Sequence, residues 1–281
     1  MIRIRYLGTG AAEGFPAPFC ECAACERVRR LGGKNRKTRS CALINEHILI
    51  DLSPDIFMQS WENSLHLSAV DTIVFTHSHD DHLDLMSLML RCKDGATVLP
   101  KIKRDENYIS IWCNDAVREK INKKFSEEKH ADPSKLHFSK IAYGVPFSVG
   151  DIEFTAFEAD HIKGEECCIF ALSDGTHSFL YGNDTGLPPE RTFDALNRYG
   201  KVFAAISLDC ARGTLPGDAH MGLAEDKTVC ERLRSCGLID GATKIYLNHF
   251  SHMCGLAPDE FASLAEKDDM YLTHDGMVVT V

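Results

Sequence analysis

Thr76-His77-Ser78-His79-Asp80-Asp81-His82 directly follows an apolar run, Thr72 to Phe75, that has the length of a buried strand. The segment has the form His-x-His-x-Asp-His, so several ligand-type side chains lie at the predicted end of a strand. Imidazole and carboxylate groups suit zinc, manganese or iron. Because the groups are so close in sequence, the segment can hold two ions side by side. The pattern predicts a site for two divalent metal ions.

Two ions need more ligands than this short segment supplies. His161, Asp184 and His249 each come soon after a later apolar run of strand length. Each of them alone is a weak signal, because a single histidine or aspartate at a loop edge is more often a cap or a solvated group. Their joint placement after successive predicted strands strengthens the prediction that they complete the metal site.

Short β-rich runs fill the first part of the chain, and helical and strand patterns alternate in the second. Neither an internal repeat nor a long Pro/Gly/Ser-rich linker interrupts residues 1–281, so the sequence predicts one α/β domain with sheets inside and helices outside. The clearest helical predictions are Leu83–Leu90, Asn114–Glu128 with an Asn cap, Glu190–Tyr199, Leu223–Ser235 and Pro258–Lys267.

The composition is that of a globular protein with a formal net charge of −10, which disfavours a general nucleic-acid or anionic-membrane binder. The start, Met1 to Gly8, alternates apolar and charged residues and reads as a strand rather than a signal peptide. No run approaches the roughly 20 apolar residues of a membrane-spanning helix. We therefore expect a cytoplasmic protein with reduced cysteines and no membrane partner. The oligomeric state stays open, a homodimer included.

Cys20-Glu21-Cys22-Ala23-Ala24-Cys25 places three thiols within six residues, which suits one tetrahedral ion better than a spread disulfide framework. A fourth ligand is not found nearby. The segment Asn248-His249-Phe250-Ser251-His252 carries two histidines three apart, so one can face the main metal site while the other faces the cysteines. We assign His252 to the thiols, and expect a structural site.

The ordered ligand pattern resembles that of the metallo-β-lactamase superfamily, and the resemblance covers the whole chain. It implies a four-layer αββα sandwich. It also implies two ligand sets joined by a bridging aspartate: His77, His79 and His161 for one ion, Asp81, His82 and His249 for the other, and Asp184 between them.

The leader Gly8 to Pro16, the cysteine cluster, Asp218-Ala219-His220-Met221 and Asp275-Gly276-Met277 are similar to the cyclic phosphodiesterases of the bacterial carbon–phosphorus lyase pathway, which serves phosphonate metabolism. The resemblance implies a phosphodiesterase that hydrolyses a small cyclic or diester phosphate by attack of a metal-bridging hydroxide. The active-site ions would be Mn²⁺, Zn²⁺ or Fe²⁺, with one structural Zn²⁺ on the thiols and His252. Asp81, Asp184 and His220 are the implied catalytic residues, with His220 assisting departure of the leaving group.

Two other interpretations of the function stay open. The leader and cysteines also resemble the pyrroloquinoline quinone biosynthesis protein of the same superfamily, which would make this chain a redox or binding protein. The metal motif also resembles the tRNA 3′-processing endonuclease, against which stand the acidic net charge and the thiol site. The chain departs from the phosphodiesterases in a longer, charged segment from Arg91 to Lys135 that contains Trp112.

A basic run stands out in this acidic sequence, and it is predicted either to attract a phosphorylated substrate or to be a solvated surface. Its members are Arg27, Arg29, Arg30, Lys34, Arg36, Lys37 and Arg39. Asp51 and Asp209, at predicted strand ends, are candidates to orient the ligand histidines.

Overall fold

Two mixed sheets form the centre of the structure, a computed structural model that describes residues 1–97 and 108–281. Within those residues the first sheet has seven strands in the order β14-β1-β2-β3-β4-β5-β6. Strands β3 to β6 run parallel to one another, and β14, β1, β2 and β3 pair antiparallel. The strands are β1 Arg3–Gly8, β2 Cys41–Ile44, β3 Ile48–Ile50, β4 Thr72–Val74, β5 Ile109–Cys113, β6 Leu136–Lys140 and β14 Val278–Thr280.

The second sheet mirrors this arrangement, with seven strands in the described part of the chain in the order β13-β12-β11-β10-β9-β8-β7. Strands β10 to β13 are parallel, and β7 to β10 pair antiparallel. The strands are β7 Pro146–Val149, β8 Ile152–Glu158, β9 Cys168–Ser173, β10 Ser178–Gly182, β11 Ala205–Asp209, β12 Lys244–Asn248 and β13 Met270–Leu272. Strands β9 to β11 are buried along their full length, as expected of strands covered on both faces.

Helices cover the outer face of each sheet. The helices are α1 Ala23–Leu31, α2 Ile56–Glu62, α3 Leu85–Cys92, α4 Asp115–Glu127, α5 Glu190–Tyr199, α6 Leu223–Ser235 and α7 Pro258–Ala265. Helices α2, α3 and α4 bury apolar side chains against the first sheet, and α1, α5, α6 and α7 against the second. A third apolar cluster, including Ile4, Ile44, Phe154 and Phe170, fills the space between the sheets. These four layers confirm the predicted αββα sandwich.

The predicted helices agree closely with the structure. Asn114 caps α4 by accepting a hydrogen bond from the backbone N–H of Val117, and α5 and α6 have the predicted bounds. The strands β5, β6, β7 and β13 were not predicted. Trp112 of β5 stacks on Phe147 with ring centroids 4.1 Å apart, so this residue belongs to packing between strands. Part of the long segment from Arg91 to Lys135 lies outside the described residues.

Candidate metal centres

Parallel strands bring ligand-type side chains from both sheets to one edge of the sandwich. Asp51 follows β3 in the first sheet, and in the second sheet Asp184 follows β10, Asp209 ends β11 and His249 follows β12. The carboxyl ends of parallel strands share an edge, where chemical sites are commonly built. His77 follows β4, and its Nε2 lies 3.3 Å from Asp184 Oδ2, so the edges of the two sheets meet.

The backbone is strained at this edge. Asp51, Asp184 and His249 have φ values of 63°, 57° and 62°, in the left-handed region that non-glycine residues seldom adopt. Such a conformation costs of order 1–3 kcal/mol and persists only where the surroundings impose it. Here the side chains of the strained residues join those of His77, His79, Asp81, His82 and His161 in one cluster, which we call the histidine–aspartate cluster and of which His79 is the exposed member.

The first predicted ligand set comes together around Asp184. The ligand atoms of His77, His79, His161 and Asp184 all lie within 4.8 Å of one another. His161 Nε2 is 3.0 Å from His79 Nδ1 and 3.4 Å from Asp184 Oδ1. Because these atoms converge on a common space, they can coordinate one ion.

The second predicted set lies on the other side of Asp184. His82 Nε2 is 2.8 Å from Asp184 Oδ2 and 3.2 Å from Asp81 Oδ2. His249 Nε2 is 3.4 Å from Asp184 Oδ1, and its ring lies 5.7 Å from that of His82. Asp184 therefore contacts both sets, as a bridging carboxylate must. On the far side of its ring, His82 Nδ1 lies 2.6 Å from Asp51, which fixes its orientation.

His220 also reaches this cluster. Its Nδ1 is 3.0 Å from Asp209 Oδ2 and 3.3 Å from Asp184 Oδ1, and its ring stacks on His249 with centroids 5.3 Å apart. Asp209 therefore holds His220 rather than one of the predicted ligand histidines. Burial lowers the His220 pKa, but the hydrogen bond and charge of Asp209 outweigh it and raise the pKa to about 9.

Burial and charge act in opposite directions on the carboxylate at the centre. Burial raises the pKa of Asp184, but the imidazoles of His249, His77 and His82 outweigh it and hold that pKa well below its ordinary value. Burial likewise lowers the pKa of His82, whereas Asp51 and Asp184 raise it well above the ordinary value. The cluster is therefore charged and buried, an arrangement that proteins usually stabilise with ion pairs or metal ions.

The unpaired polar atoms of this cluster fit metal coordination. His77 Nδ1 lies 2.9 Å from the Thr76 hydroxyl, while its Nε2 is buried with no hydrogen-bond partner in residues 1–97 and 108–281. The same holds for Asp184 Oδ1. Buried polar atoms rarely lack a partner. Ligand atoms that converge without hydrogen bonds are therefore what divalent cations would require.

The predicted thiol cluster also forms. Ligand atoms of Cys20, Cys22, Cys25 and His252 lie within 4.8 Å of one another, with His252 Nδ1 3.4 Å from Cys20 Sγ and 3.7 Å from Cys22 Sγ. Cys22 caps α1 by accepting a hydrogen bond from the Cys25 N–H. Burial raises the Cys22 pKa, but this hydrogen bond and His252 outweigh it and lower the pKa to about 6. All four coordination positions of a tetrahedral ion can be filled by this set.

Sequence reasoning missed Glu13. Its carboxylate accepts a hydrogen bond from the Ser251 hydroxyl and lies 3.8 Å from His252 Nε2, behind the nitrogen that faces the thiols. This distance is too long for a hydrogen bond, so Glu13 acts on His252 through its charge. A lone glutamate in a loop has no spacing signal that could have identified it.

A hydrogen-bond network that the sequence did not predict also supports the histidine motif. Glu165 accepts hydrogen bonds from the Ser78 hydroxyl at 2.6 Å and from Asn114 Nδ2 at 2.8 Å. Lys120 donates to the Ser78 carbonyl oxygen at 2.6 Å and pairs with Asp80. These contacts tie the loop after β4 to the start of α4 and to the loop after β8 that carries His161.

Much of the basic run is already engaged within the chain. Arg27 pairs with Asp259, Arg29 with Glu26 and Arg39 with Asp55. The buried Lys37 donates to the Thr273 carbonyl oxygen at 2.6 Å. The run is therefore not one continuous binding surface, and among the described residues its side chains without an ion pair or hydrogen bond are Arg30, Lys34 and Arg36.

The fold and site are those of a metal-dependent hydrolase of the metallo-β-lactamase type. A family model described as "Beta-lactamase superfamily domain" matches residues 46–250. The chain belongs to this superfamily.

Two curated relatives are similar in sequence. The transcription termination factor FttA of Methanosarcina mazei is 29% identical over 203 residues, which is 64% of this chain and 31% of that protein. The coenzyme PQQ synthesis protein B of Klebsiella pneumoniae is 27% identical over 172 residues, 54% of this chain and 51% of that protein. The chain thus matches about a third of the length of the first relative and about half of the length of the second.

Solved structures share the whole fold. A diphosphatase from the PhnP family superposes with a TM-score of 0.76 at 19% identity, covering 100% of this chain and 98% of that one. The short form of human tRNase Z superposes with a TM-score of 0.62 at 16% identity, with 99% of each chain covered. At these identities the likeness establishes the fold, and the chemistry must be argued from the site.

Helices with the length and apolar character needed to cross a membrane are absent from the described residues.

Proposed function

We propose that this chain is a metal-dependent phosphodiesterase that hydrolyses a small cyclic or diester phosphate. The observation that carries the proposal is that the six other predicted ligand side chains converge around Asp184. Two divalent cations held there would supply a water of lowered pKa and neutralise charge on the phosphoryl oxygens. The diphosphatase of similar fold also acts on a phosphorus centre, which supports this substrate class.

Each residue of the cluster has a defined task in this proposal. His77, His79 and His161 would hold one ion, Asp81, His82 and His249 would hold the other, and Asp184 would be shared by the two sets. Asp51 accepts from His82 Nδ1 and so presents Nε2 to the site. Because the cluster is buried and its backbone conformation is imposed by the surrounding sheets, little reorganisation is needed when substrate binds.

His220 is proposed to donate a proton to the leaving oxygen. Asp209 engages Nδ1 at 3.0 Å, which leaves Nε2 as the nitrogen available to a substrate. The side chain is about a quarter exposed, whereas His77, His82 and His249 are almost fully buried, so it can reach a bound molecule. A positioned imidazole contributes typically 10²–10⁴-fold to such a proton transfer.

The proposal is tested by hydrolysis of bis(p-nitrophenyl) phosphate and of a 2′,3′-cyclic nucleotide after reconstitution with Mn²⁺ or Zn²⁺. We expect turnover of both that a chelator abolishes and that the added metal restores. Asp184→Ala, purified in parallel, is the blank that removes contaminating activity.

Two other results would replace the proposal. Absence of turnover with both ions bound, together with dependence on iron, would favour a redox or binding role like that of the PQQ synthesis relative. Cleavage of a tRNA 3′ extension without turnover of small diesters would favour the tRNA-processing activity of the other structural neighbour.

Further expectations belong to this proposal. The chain forms a single domain over residues 1–281, works in the cytoplasm in phosphonate metabolism, and binds one structural zinc at the thiol cluster in addition to Mn²⁺, Zn²⁺ or Fe²⁺ at the active site. Metal analysis of the purified protein tests the last of these directly.

A further inference from the structure

The loop over residues 159–167, which carries His161, contains neither helix nor strand. His161 Nε2 faces the first ligand set, while its Nδ1 is buried and has no hydrogen-bond partner in the described part of the chain. The ring of His82, by contrast, is held at its far nitrogen by Asp51. Without such a partner within residues 1–97 and 108–281, His161 depends on its backbone for its position.

Three hydrogen bonds fix the backbone beside this histidine. The Thr185 hydroxyl accepts from the Asp160 N–H at 2.9 Å and donates to the Gly186 carbonyl oxygen at 2.9 Å. The Gly186 N–H in turn donates to the Asp160 carbonyl oxygen at 2.8 Å. Asp160 directly precedes His161, and Thr185 directly follows Asp184. This network, which we call the Thr185 clamp, therefore ties together two ligands of the first set.

The Thr185 clamp is buried, and it acts on a strained backbone. Thr185 is only 1% exposed, so water cannot readily take the place of its contacts. Asp184 has a φ of 57°, and such a left-handed conformation persists only where the surrounding structure imposes it. The hydrogen bonds of the clamp start at the very next residue, so they belong to the structure that imposes it.

Gly186 brings a third loop against the Thr185 clamp. A Cβ atom at this position would lie 2.7 Å from the Asp218 carbonyl oxygen, which is closer than Cβ atoms pack in proteins, and 3.2 Å from Asp160 Oδ2. Asp218 belongs to the loop of His220, and its N–H donates to the His220 carbonyl oxygen at 2.9 Å. The loop that carries His220 therefore packs on the clamp itself, through a contact that requires glycine.

We propose that Thr185 is a positioning residue that fixes His161 relative to Asp184, and so sets the affinity of the first ligand set for its ion. The second set does not depend on the clamp in this way, because Asp51 holds the ring of His82. Loss of the Thr185 hydroxyl should therefore weaken the ion of the first set much more than that of the second. The inference rests on the two-metal site of the proposed function and deepens it, since it gives the two ions different supports.

Calorimetric titration with Mn²⁺, after removal of the active-site ions, tests this role without any hydrolysis. Thiolate ligands do not favour Mn²⁺, so the two expected binding events report on the histidine–aspartate cluster. Thr185→Val keeps the shape of the side chain and loses the hydroxyl. In this variant we expect the dissociation constant of one event to rise about 10-fold or more, and that of the other to change by less than about threefold. Thr185→Ser keeps the hydroxyl and should restore both.

Two reference variants identify which binding event is affected. His161→Ala removes a ligand of the first set, and His249→Ala removes a ligand of the second. The event that Thr185→Val weakens should be the one that His161→Ala weakens or abolishes. Weakening of the His249→Ala event instead, equal weakening of both events, or no change in either would overturn the role of Thr185.

Thr243→Val is the matched control, because Thr243 makes the same two kinds of contact just before the start of β12, away from the histidine–aspartate cluster. Its hydroxyl accepts from the Asp240 N–H at 3.0 Å and donates to the Phe203 carbonyl oxygen at 2.9 Å. We expect a similar fall in Tm in both valine variants, but unchanged Mn²⁺ binding in Thr243→Val. A loss of ion affinity in Thr243→Val as large as in Thr185→Val would assign the effect to general destabilisation and overturn the role of Thr185.

The readout is ion binding, so its result is separate from that of the hydrolysis assay. If the wild type binds both ions and does not hydrolyse bis(p-nitrophenyl) phosphate, the proposed phosphodiesterase fails while the titration still decides the role of Thr185. Absence of Mn²⁺ binding by the wild type would overturn both.

Discussion

The thiol cluster takes three of its four side chains from residues 20–25, whereas the histidine–aspartate cluster takes its side chains from the ends of strands in both sheets. The thiols need only the start of α1 and one distant histidine to come together. The histidine–aspartate cluster needs the two sheets to pack with their parallel strands ending at one edge.

The two clusters also differ in exposure and strain. Cys20 and Cys22 are half-buried, while His77, Asp184 and His249 are almost fully buried and two of them have left-handed backbone conformations. A closed tetrahedral site adds folding energy and leaves no open position, whereas a strained, polar, buried site is typical of chemistry. Changes at the thiol cluster should therefore affect stability, and changes at the histidine–aspartate cluster should affect activity.

Asp184→Asn keeps the shape of the side chain and removes the negative charge shared by both ligand sets. We expect kcat/KM for bis(p-nitrophenyl) phosphate to fall by about 10³-fold or more, equivalent to about 4 kcal/mol of transition-state stabilisation. Metal analysis should show loss of ions from the active site while the ion at the thiol cluster stays. Activity within a few-fold of the wild type would contradict the bridging role.

Cys22→Ser tests the opposite half of the comparison. Removing one thiolate should release the structural ion, and a loss of about 3 kcal/mol of stability corresponds to a fall in Tm of about 5 °C or more for a chain of this size. Per folded, metal-loaded molecule, turnover should stay within about threefold of the wild type. Differential scanning calorimetry and zinc content provide the measurements.

Cys236→Ser is the control for that experiment, because Cys236 is an exposed free cysteine outside the thiol cluster. An unchanged Tm and unchanged zinc content in Cys22→Ser would remove the structural site. A loss of turnover as large as that of Asp184→Asn would instead place the thiol cluster in the chemistry.

His220→Ala tests a residue of the histidine–aspartate cluster that is held by Asp209 and is more exposed than His77, His82 and His249. If it protonates the leaving oxygen, kcat for a substrate with an alkoxide leaving group should fall by about 100-fold, and kcat for bis(p-nitrophenyl) phosphate by only a few-fold. The dependence of rate on leaving-group pKa is the measurement. Asp209→Asn should give the same dependence on leaving-group pKa with a smaller loss of kcat. Equal losses of kcat for both substrates in His220→Ala would exclude proton donation.

The same contrast between the two clusters explains which site residues could be predicted from the sequence. The histidine motif and the cysteine cluster are contiguous, so spacing alone identified them, and His161, Asp184 and His249 were found because each follows an apolar run. The sequence pattern did not identify Glu13, Glu165 or Lys120. A lone charged residue in a loop or on a helix has the pattern of a solvated group, and only the fold brings its partner close.

Three of the four missed strands have a similar explanation. Strand β13 is three residues long, and the Leu136–Lys140 and Pro146–Val149 strands lie at the outer ends of their sheets with mixed exposure. Short edge strands carry little periodic signal, and their pairing with a neighbour decides their conformation.

The smallest effect that we predict is at Glu165, which touches neither proposed ion but joins Ser78 of the histidine motif to Asn114 and to the loop that carries His161. Glu165→Gln keeps the length and removes the charge, so both contacts can persist only as weaker neutral hydrogen bonds, with the amide oxygen accepting from Asn114 and the amide N–H donating to the Ser78 hydroxyl. Groups that orient ligands typically cost 10–100-fold when removed. Because Glu165 acts one contact further away and is only weakened, we expect a several-fold fall in kcat with KM nearly constant. Glu166→Gln makes the same charge change on the adjacent residue, whose exposed side chain contacts Lys140 at 3.8 Å, and it should leave kcat unaltered. Equal kcat values in the two variants would show that Glu165 does not help to position the loop after β4.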